Sequence, residues 1–148
     1  MANNPKYKLV YIGIPNIDCD LEGYCKGKNI NNVYFKGKFK NEEKAKLYEE
    51  IDLINAVYGN NSLEVTTLLP NRLYEGLLLK KPVLATADTF LGDIVKANKV
   101  GLCLNLDDRN IDLKIEEYIS TLDFDEFNLN CKRMLNEIKK SKNIFAIG

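Results

Sequence analysis

The chain has 148 residues, in which 21 Lys plus Arg are balanced by 21 Asp plus Glu, and it contains no histidine. A length of this order fits one domain and buries about 70% of the surface that the unfolded chain exposes. Zero net charge excludes a basic surface built for nucleic acid, and the missing histidine removes Ser-His-Asp and Cys-His catalysis and the commonest transition-metal ligand.

Short apolar runs alternate with amphipathic segments from end to end, the pattern of βαβ units with a parallel sheet covered on both faces. The fold class expected is α/β, with a Rossmann-like parallel sheet of five strands. Lys8 to Ile14 reads as the first strand, closed by Gly13, Pro15 and Asn16, and a short helix from about Asp18 to Lys26 follows. Val33 to Phe35 is the second strand, running to Gly37. Asn41 suits a helix cap, and Glu42 and Glu43 complement the macrodipole in the first turn of a helix that ends near Glu50. Leu53 to Val57 is an apolar third strand, and Gly59-Asn60-Asn61-Ser62 opens a loop that reaches Leu69.

The run Leu69-Pro70-Asn71-Arg72-Leu73-Tyr74-Glu75-Gly76-Leu77-Leu78-Leu79 carries the most chemical information. It predicts a helix opened by Pro70, because proline suits the first helical position, where its missing N–H would have no partner. The backbone donors behind it make an anion site. Arg72 adds a planar fork that can grip a phosphate bidentately, and Glu75, three residues on, lies on the same helical face, where a carboxylate can accept two vicinal hydroxyls. Phosphate plus ribose is the ligand implied. The same spacing also produces an ordinary exposed ion pair, worth a few tenths of a kcal/mol.

Pro82 to Thr86 predicts a fourth strand, Thr89 to Ala97 a helix, and Val100 to Leu104 a fifth strand. Ile111, Ile115, Tyr118, Ile119 and Leu122 follow helical spacing, as do Phe124, Phe127, Cys131, Met134, Leu135 and Ile138. Residues 143–148 read as a loosely held tail unless Ile144 and Phe145 dock. No apolar stretch approaches the roughly 18 residues needed to span a bilayer, so a cytoplasmic chain without a transmembrane segment is expected. Cys19, Cys25, Cys103 and Cys131 lack close pairing and any histidine partner, so neither zinc nor a disulfide framework is expected, and they read as small apolar residues.

The order of these elements resembles the C-terminal, nucleotide-sugar-binding domain of retaining glycosyltransferases with two Rossmann-like domains, the GT-B architecture. The fragments that carry the likeness are Leu9 to Gly13, Asn32-Val33-Tyr34-Phe35-Lys36-Gly37, Leu47-Tyr48 with Asp52, Leu69 to Gly76, Lys81-Pro82-Val83-Leu84 and Val100-Gly101-Leu102. It extends over roughly Leu9 to Asn105. The resemblance implies that Pro70, Asn71 and Arg72 meet the diphosphate and that Glu75 binds the ribose hydroxyls. It also places Gly13, Thr67 and Leu68 at the donor, with Lys38 and Phe39 against the nucleobase. For Phe39 the alternative is a surface turn with its ring tucked into the core.

Three departures from that pattern stand out. Many members hold the donor sugar with a second Glu eight positions before the ribose-binding one; here that position is Thr67, and Glu64 is out of register. Lys80 stands where the family usually has the glycine that ends the helix in a left-handed turn, which costs about 1 kcal/mol if that conformation is kept. The family domain usually begins one strand and helix earlier, and its acceptor-binding N-terminal domain lacks a counterpart here, so a fragment or excised domain, inactive alone, is expected.

The activity implied by the resemblance is transfer of a sugar from a nucleoside diphosphate sugar, UDP- or GDP-linked, to a hydroxyl acceptor on a glycan or a lipid-linked saccharide. Configuration is retained, with no cofactor and no metal. The partners implied are that donor and the N-terminal domain of the same enzyme, with peripheral membrane association open to the complete enzyme. Two other readings remain: a non-catalytic flavodoxin-like module that binds a mononucleotide or a partner, and half of a sugar-nucleotide epimerase. The first lacks a Ser/Thr-rich phosphate loop after Gly13, and the second usually needs histidines.

Overall fold

A computed structural model describes residues 1–14, 19–59, 62–67 and 69–146, with side chains placed up to Ser141 except at Val65. The chain forms two compact units, Met1–Tyr48 and Glu49–Gly148. All strand pairings are parallel, and helices flank the sheets, so the fold is α/β and Rossmann-like.

In the N-terminal unit, β1 (Leu9–Ile12) pairs with β2 (Val33–Gly37), with Leu9 opposite Val33 and Tyr11 opposite Phe35. The Tyr11 and Phe35 rings sit 5.8 Å apart, a cross-strand aromatic pair on one face of the ladder. Between the strands runs α1 (Leu21–Gly27), capped by the Asp20 carboxylate, which accepts from the Gly23 N–H at 2.8 Å. A 3₁₀ turn, Asn41–Glu43, leads into α2 (Lys44–Glu49). Asn41 does not cap it. The helix entry is instead secured by Glu43, whose carboxylate reaches back to accept from the Lys40 N–H at 2.9 Å.

The C-terminal unit holds β3 (Ile54–Ala56), α3 (Leu63–Thr67), α4 (Asn71–Leu79), β4 (Val83–Thr86), α5 (Phe90–Asn98), β5 (Gly101–Leu104), α6 (Ile111–Thr121) and α7 (Phe124–Ala146). Its sheet has the order β3-β4-β5. Central β4 is buried along its whole length, as its unbroken Val-Leu-Ala run requires. Leu73 and Leu77 of α4, Val95 of α5, Ile115 of α6 and Phe127 of α7 complete the core. At 100° per residue these positions form the apolar stripe of each helix.

Close approaches at Gly76 and Gly92 depend on glycine. A side chain at Gly76 would lie 2.6 Å from Val83 Cγ2, and one at Gly92 would lie 2.3 Å from the Thr86 carbonyl oxygen. The second approach brings the start of α5 onto the end of β4, where the Thr89 hydroxyl donates to Thr86 O at 2.7 Å and accepts from the Gly92 N–H at 3.0 Å.

All five predicted strands form, within a residue or two of their expected ends. Within the units they pair as β1-β2 and as β3-β4-β5. An apolar run identifies a strand but does not say which edge it meets. The stretch expected as a loop from Gly59 to Leu69 contains the single-turn helix α3. At the far end α7 carries helical backbone through Ala146. Lys80 does adopt the left-handed conformation, with φ 53° and ψ 49°, and its N–H closes α4 onto the Gly76 carbonyl. All four cysteines are free; Cys25 and Cys131 are buried as small apolar residues, whereas Cys19 is exposed.

Candidate functional site

The first turn of α4 begins at Pro70, in extended backbone with φ −75° and ψ 152°. Proline therefore stands at the cap itself, one position earlier than its sequence preference suggests, and it has no side-chain acceptor to give. Its carbonyl accepts from the Leu73 N–H at 3.1 Å, and Pro70 itself supplies no side-chain cap to the turn. The amides of Asn71 and Arg72 thus open the positive end of a nine-residue helix.

Arg72 lies across the carboxyl ends of the neighbouring strands. Its Nη1 donates to the Asn55 carbonyl in β3 at 2.8 Å, and its guanidinium carbon sits 5.7 Å from the centre of the Tyr58 ring, in cation–π range. Tyr58 is itself fixed from β4: its N–H donates to the Thr86 hydroxyl at 3.0 Å, and that hydroxyl donates back to the Tyr58 carbonyl. Thr86 is buried. A guanidinium has five donors in a fixed fork, so the bond to Asn55 orients it without exhausting it. The carboxyl edge of a parallel sheet, beside a helix N-terminus, is where α/β folds take their ligands.

The predicted site residues divide between the units. Pro70, Asn71, Arg72 and Glu75 share α4, with Asn71 and Arg72 exposed and Glu75 half-buried one turn further on. Thr67 is exposed at the end of α3, where its hydroxyl donates to the Leu63 carbonyl at 2.8 Å. Leu68 falls outside the described residues. Gly13 and Phe39 belong to the N-terminal unit. There Gly13 leaves β1 at φ 121° and donates its N–H to the Gly37 carbonyl at 3.0 Å. Phe39 is half-buried just beyond β2.

Asn55, Tyr58 and Thr86 escaped the sequence reading. Asn55 is 17 residues from Arg72, and its contribution is a backbone carbonyl, which carries no residue signature. The only available hint was the position of Thr86 at the last residue of a buried strand.

Two cavities open elsewhere on the C-terminal unit. One of about 410 Å³ lies past the ends of β4 and β5, between Ala87-Asp88 and residues 105–108. Asp108 there accepts from Lys114 Nζ at 2.6 Å and from the Asn105 N–H at 3.1 Å. The Lys114 hydrogen bond above all holds its carboxyl below the usual range. With Asp88 and Asp107 beside it, this cavity repels anions. The other, about 640 Å³, lies between α5, β5, α6 and α7. Neither is lined by Asn71, Arg72 or Glu75. Among the described residues, no group of three or more Cys, Asp or Glu is arranged to hold a metal ion, and no helix is long and apolar enough to cross a membrane. The sequence matches no model of a known protein family, and no curated protein matches it.

Proposed function

We propose that the chain is the donor-binding domain of a GT-B type glycosyltransferase, taking a nucleoside diphosphate sugar at the N-terminal turn of α4. The observation that carries this reading is the position of Arg72. It stands at a helix end that Pro70 does not cap with a side chain, and its guanidinium is held at β3 and the loop after it by Asn55 and Tyr58. In this reading the Asn71 and Arg72 amides and the Arg72 fork receive the diphosphate, and Glu75 accepts the ribose hydroxyls. When the glycosidic bond breaks, negative charge builds on the departing diphosphate. Fixed donors already aimed at it lower that barrier without reorganising. Catalysis in this reading rests on positioning and electrostatics, and transfer requires an acceptor domain facing the cleft.

A thermal-shift and calorimetry panel of UDP, GDP, TDP, CMP, FMN and acetyl phosphate tests the assignment. Stabilisation by one nucleoside diphosphate, with FMN and acetyl phosphate inert, is the expected result. A flavin response, or none to any nucleotide, would replace it with the flavodoxin-like module.

A further inference from the structure

The Thr86 hydroxyl stands in for a rung that the sheet lacks. β3 and β4 pair in parallel as far as Ala56 and Ala85, and the chain after β3 then leaves the ladder. At the next residue of β4, the Thr86 hydroxyl accepts from the Tyr58 N–H at 3.0 Å and donates to the Tyr58 carbonyl. A hydroxyl has one proton and two lone pairs, so a single side chain can hold both backbone groups of Tyr58. Thr86 is 2% exposed, so the anchor itself is packed into the core. Asn55 secures the same stretch from its other end, its side-chain oxygen accepting from the Val57 N–H at 3.0 Å.

This short stretch meets Arg72 at two places. The Asn55 carbonyl accepts from Nη1 at 2.8 Å, and the Tyr58 ring lies 5.7 Å from the guanidinium carbon. An exposed arginine without such contacts samples many rotamers, and the order it must acquire on binding weakens the complex. We infer that Tyr58 and Thr86 are positioning residues for Arg72: the ring orients the guanidinium towards the diphosphate, and the buried hydroxyl acts through the Tyr58 backbone to place the ring. The inference rests on the donor-binding reading above and adds to it two residues, one of them in the core.

The test measures the affinity of the whole chain for UDP and GDP by titration calorimetry, and records the Arg72 Nε–H resonance of nitrogen-15-labelled protein without nucleotide. Thr86→Val keeps the branched shape and removes the hydroxyl; Thr86→Ser keeps the hydroxyl. Thr86→Val weakens the nucleoside diphosphate that wild type binds by about threefold or more, whereas Thr86→Ser stays within about twofold of wild type. Tyr58→Leu weakens it to a similar extent, and Tyr58→Phe, which keeps an aromatic face, does not. The Arg72 Nε–H resonance moves in Thr86→Val towards its value in Tyr58→Leu and stays in place in Thr86→Ser, a shift that a purely structural hydroxyl would not produce. If wild type binds neither UDP nor GDP, the donor-binding reading falls and this inference with it. If wild type binds and Thr86→Val binds as tightly, or the Arg72 resonance does not move in Thr86→Val, the inference alone is overturned. Should Thr86→Val not fold, equal affinity in Tyr58→Leu and Tyr58→Phe overturns it.

Discussion

Arg72 and Asn55 are joined by a 2.8 Å hydrogen bond from a guanidinium on α4 to a carbonyl on β3, so the first turn of the helix is tied to the strand edge that any ligand would approach. Replacing Arg72 by alanine should weaken nucleoside diphosphate binding about tenfold or more, since hydrogen bonds to charged groups are commonly worth about 1.5–3 kcal/mol. Lysine should recover only part of the loss, because a point charge does not reproduce the planar fork or its stacking on Tyr58. Titration calorimetry on the three proteins measures this, and unchanged affinity in Arg72→Ala would remove Arg72 from the site. Arg72 is exposed, so its removal should lower folding stability by less than about 1 kcal/mol.

At Gly92 the start of α5 lies against the end of β4. An added methyl would lie 2.3 Å from the Thr86 carbonyl, so Gly92→Ala must push the helix off the strand and should destabilise the protein by about 2–3 kcal/mol. Urea unfolding gives the value. A loss within error of zero would mean that α5 does not dock as described.

Lys80 ends α4 at φ 53°, a conformation that an ordinary L residue adopts at some cost. Lys80→Gly should raise stability by about 0.5 kcal/mol, the steric relief exceeding the added freedom of the unfolded chain. The gain should appear as a higher urea midpoint with an unchanged slope.

Alkaline stability should depend on two buried acids. Burial pushes the Cys131 thiol from its usual 9.0 up to about 11, with Lys80 acting in the opposite direction, and the Tyr118 hydroxyl from 10.0 up to about 12. In each case the folded chain keeps its proton after the unfolded chain has released it. Their contribution is therefore complete below the unfolded values and is lost as pH rises, for Cys131 between about 9 and 11 and for Tyr118 between about 10 and 12. Urea midpoints measured upward from pH 8 should fall less steeply in Cys131→Ala and Tyr118→Phe than in wild type. Parallel slopes in all three proteins would contradict the assignment.

Local pattern revealed the elements well, because burial and capping are written in neighbouring residues. The Val83–Thr86 strand and the helix that follows it were legible in runs of a few residues. Which strand edges meet is decided by long-range packing rather than by any run of a few residues. The same limit applies to the site. Arg72 and Glu75 were singled out by their spacing on one helix, whereas the groups that Arg72 touches lie on β3 and in the loop after it. Thr67 stands where the resemblance would put a glutamate, and it spends its hydroxyl proton on its own helix, a choice that no spacing rule anticipates.

Thr86 has a broader role than its single hydroxyl suggests. Its side chain locks Tyr58, while its carbonyl receives Thr89 at the threshold of α5. The central strand therefore holds the backbone of the residue whose ring lies beneath Arg72. Disturbing the α5 entry should thus loosen the guanidinium from a distance, by slackening the backbone that holds its aromatic rest in place.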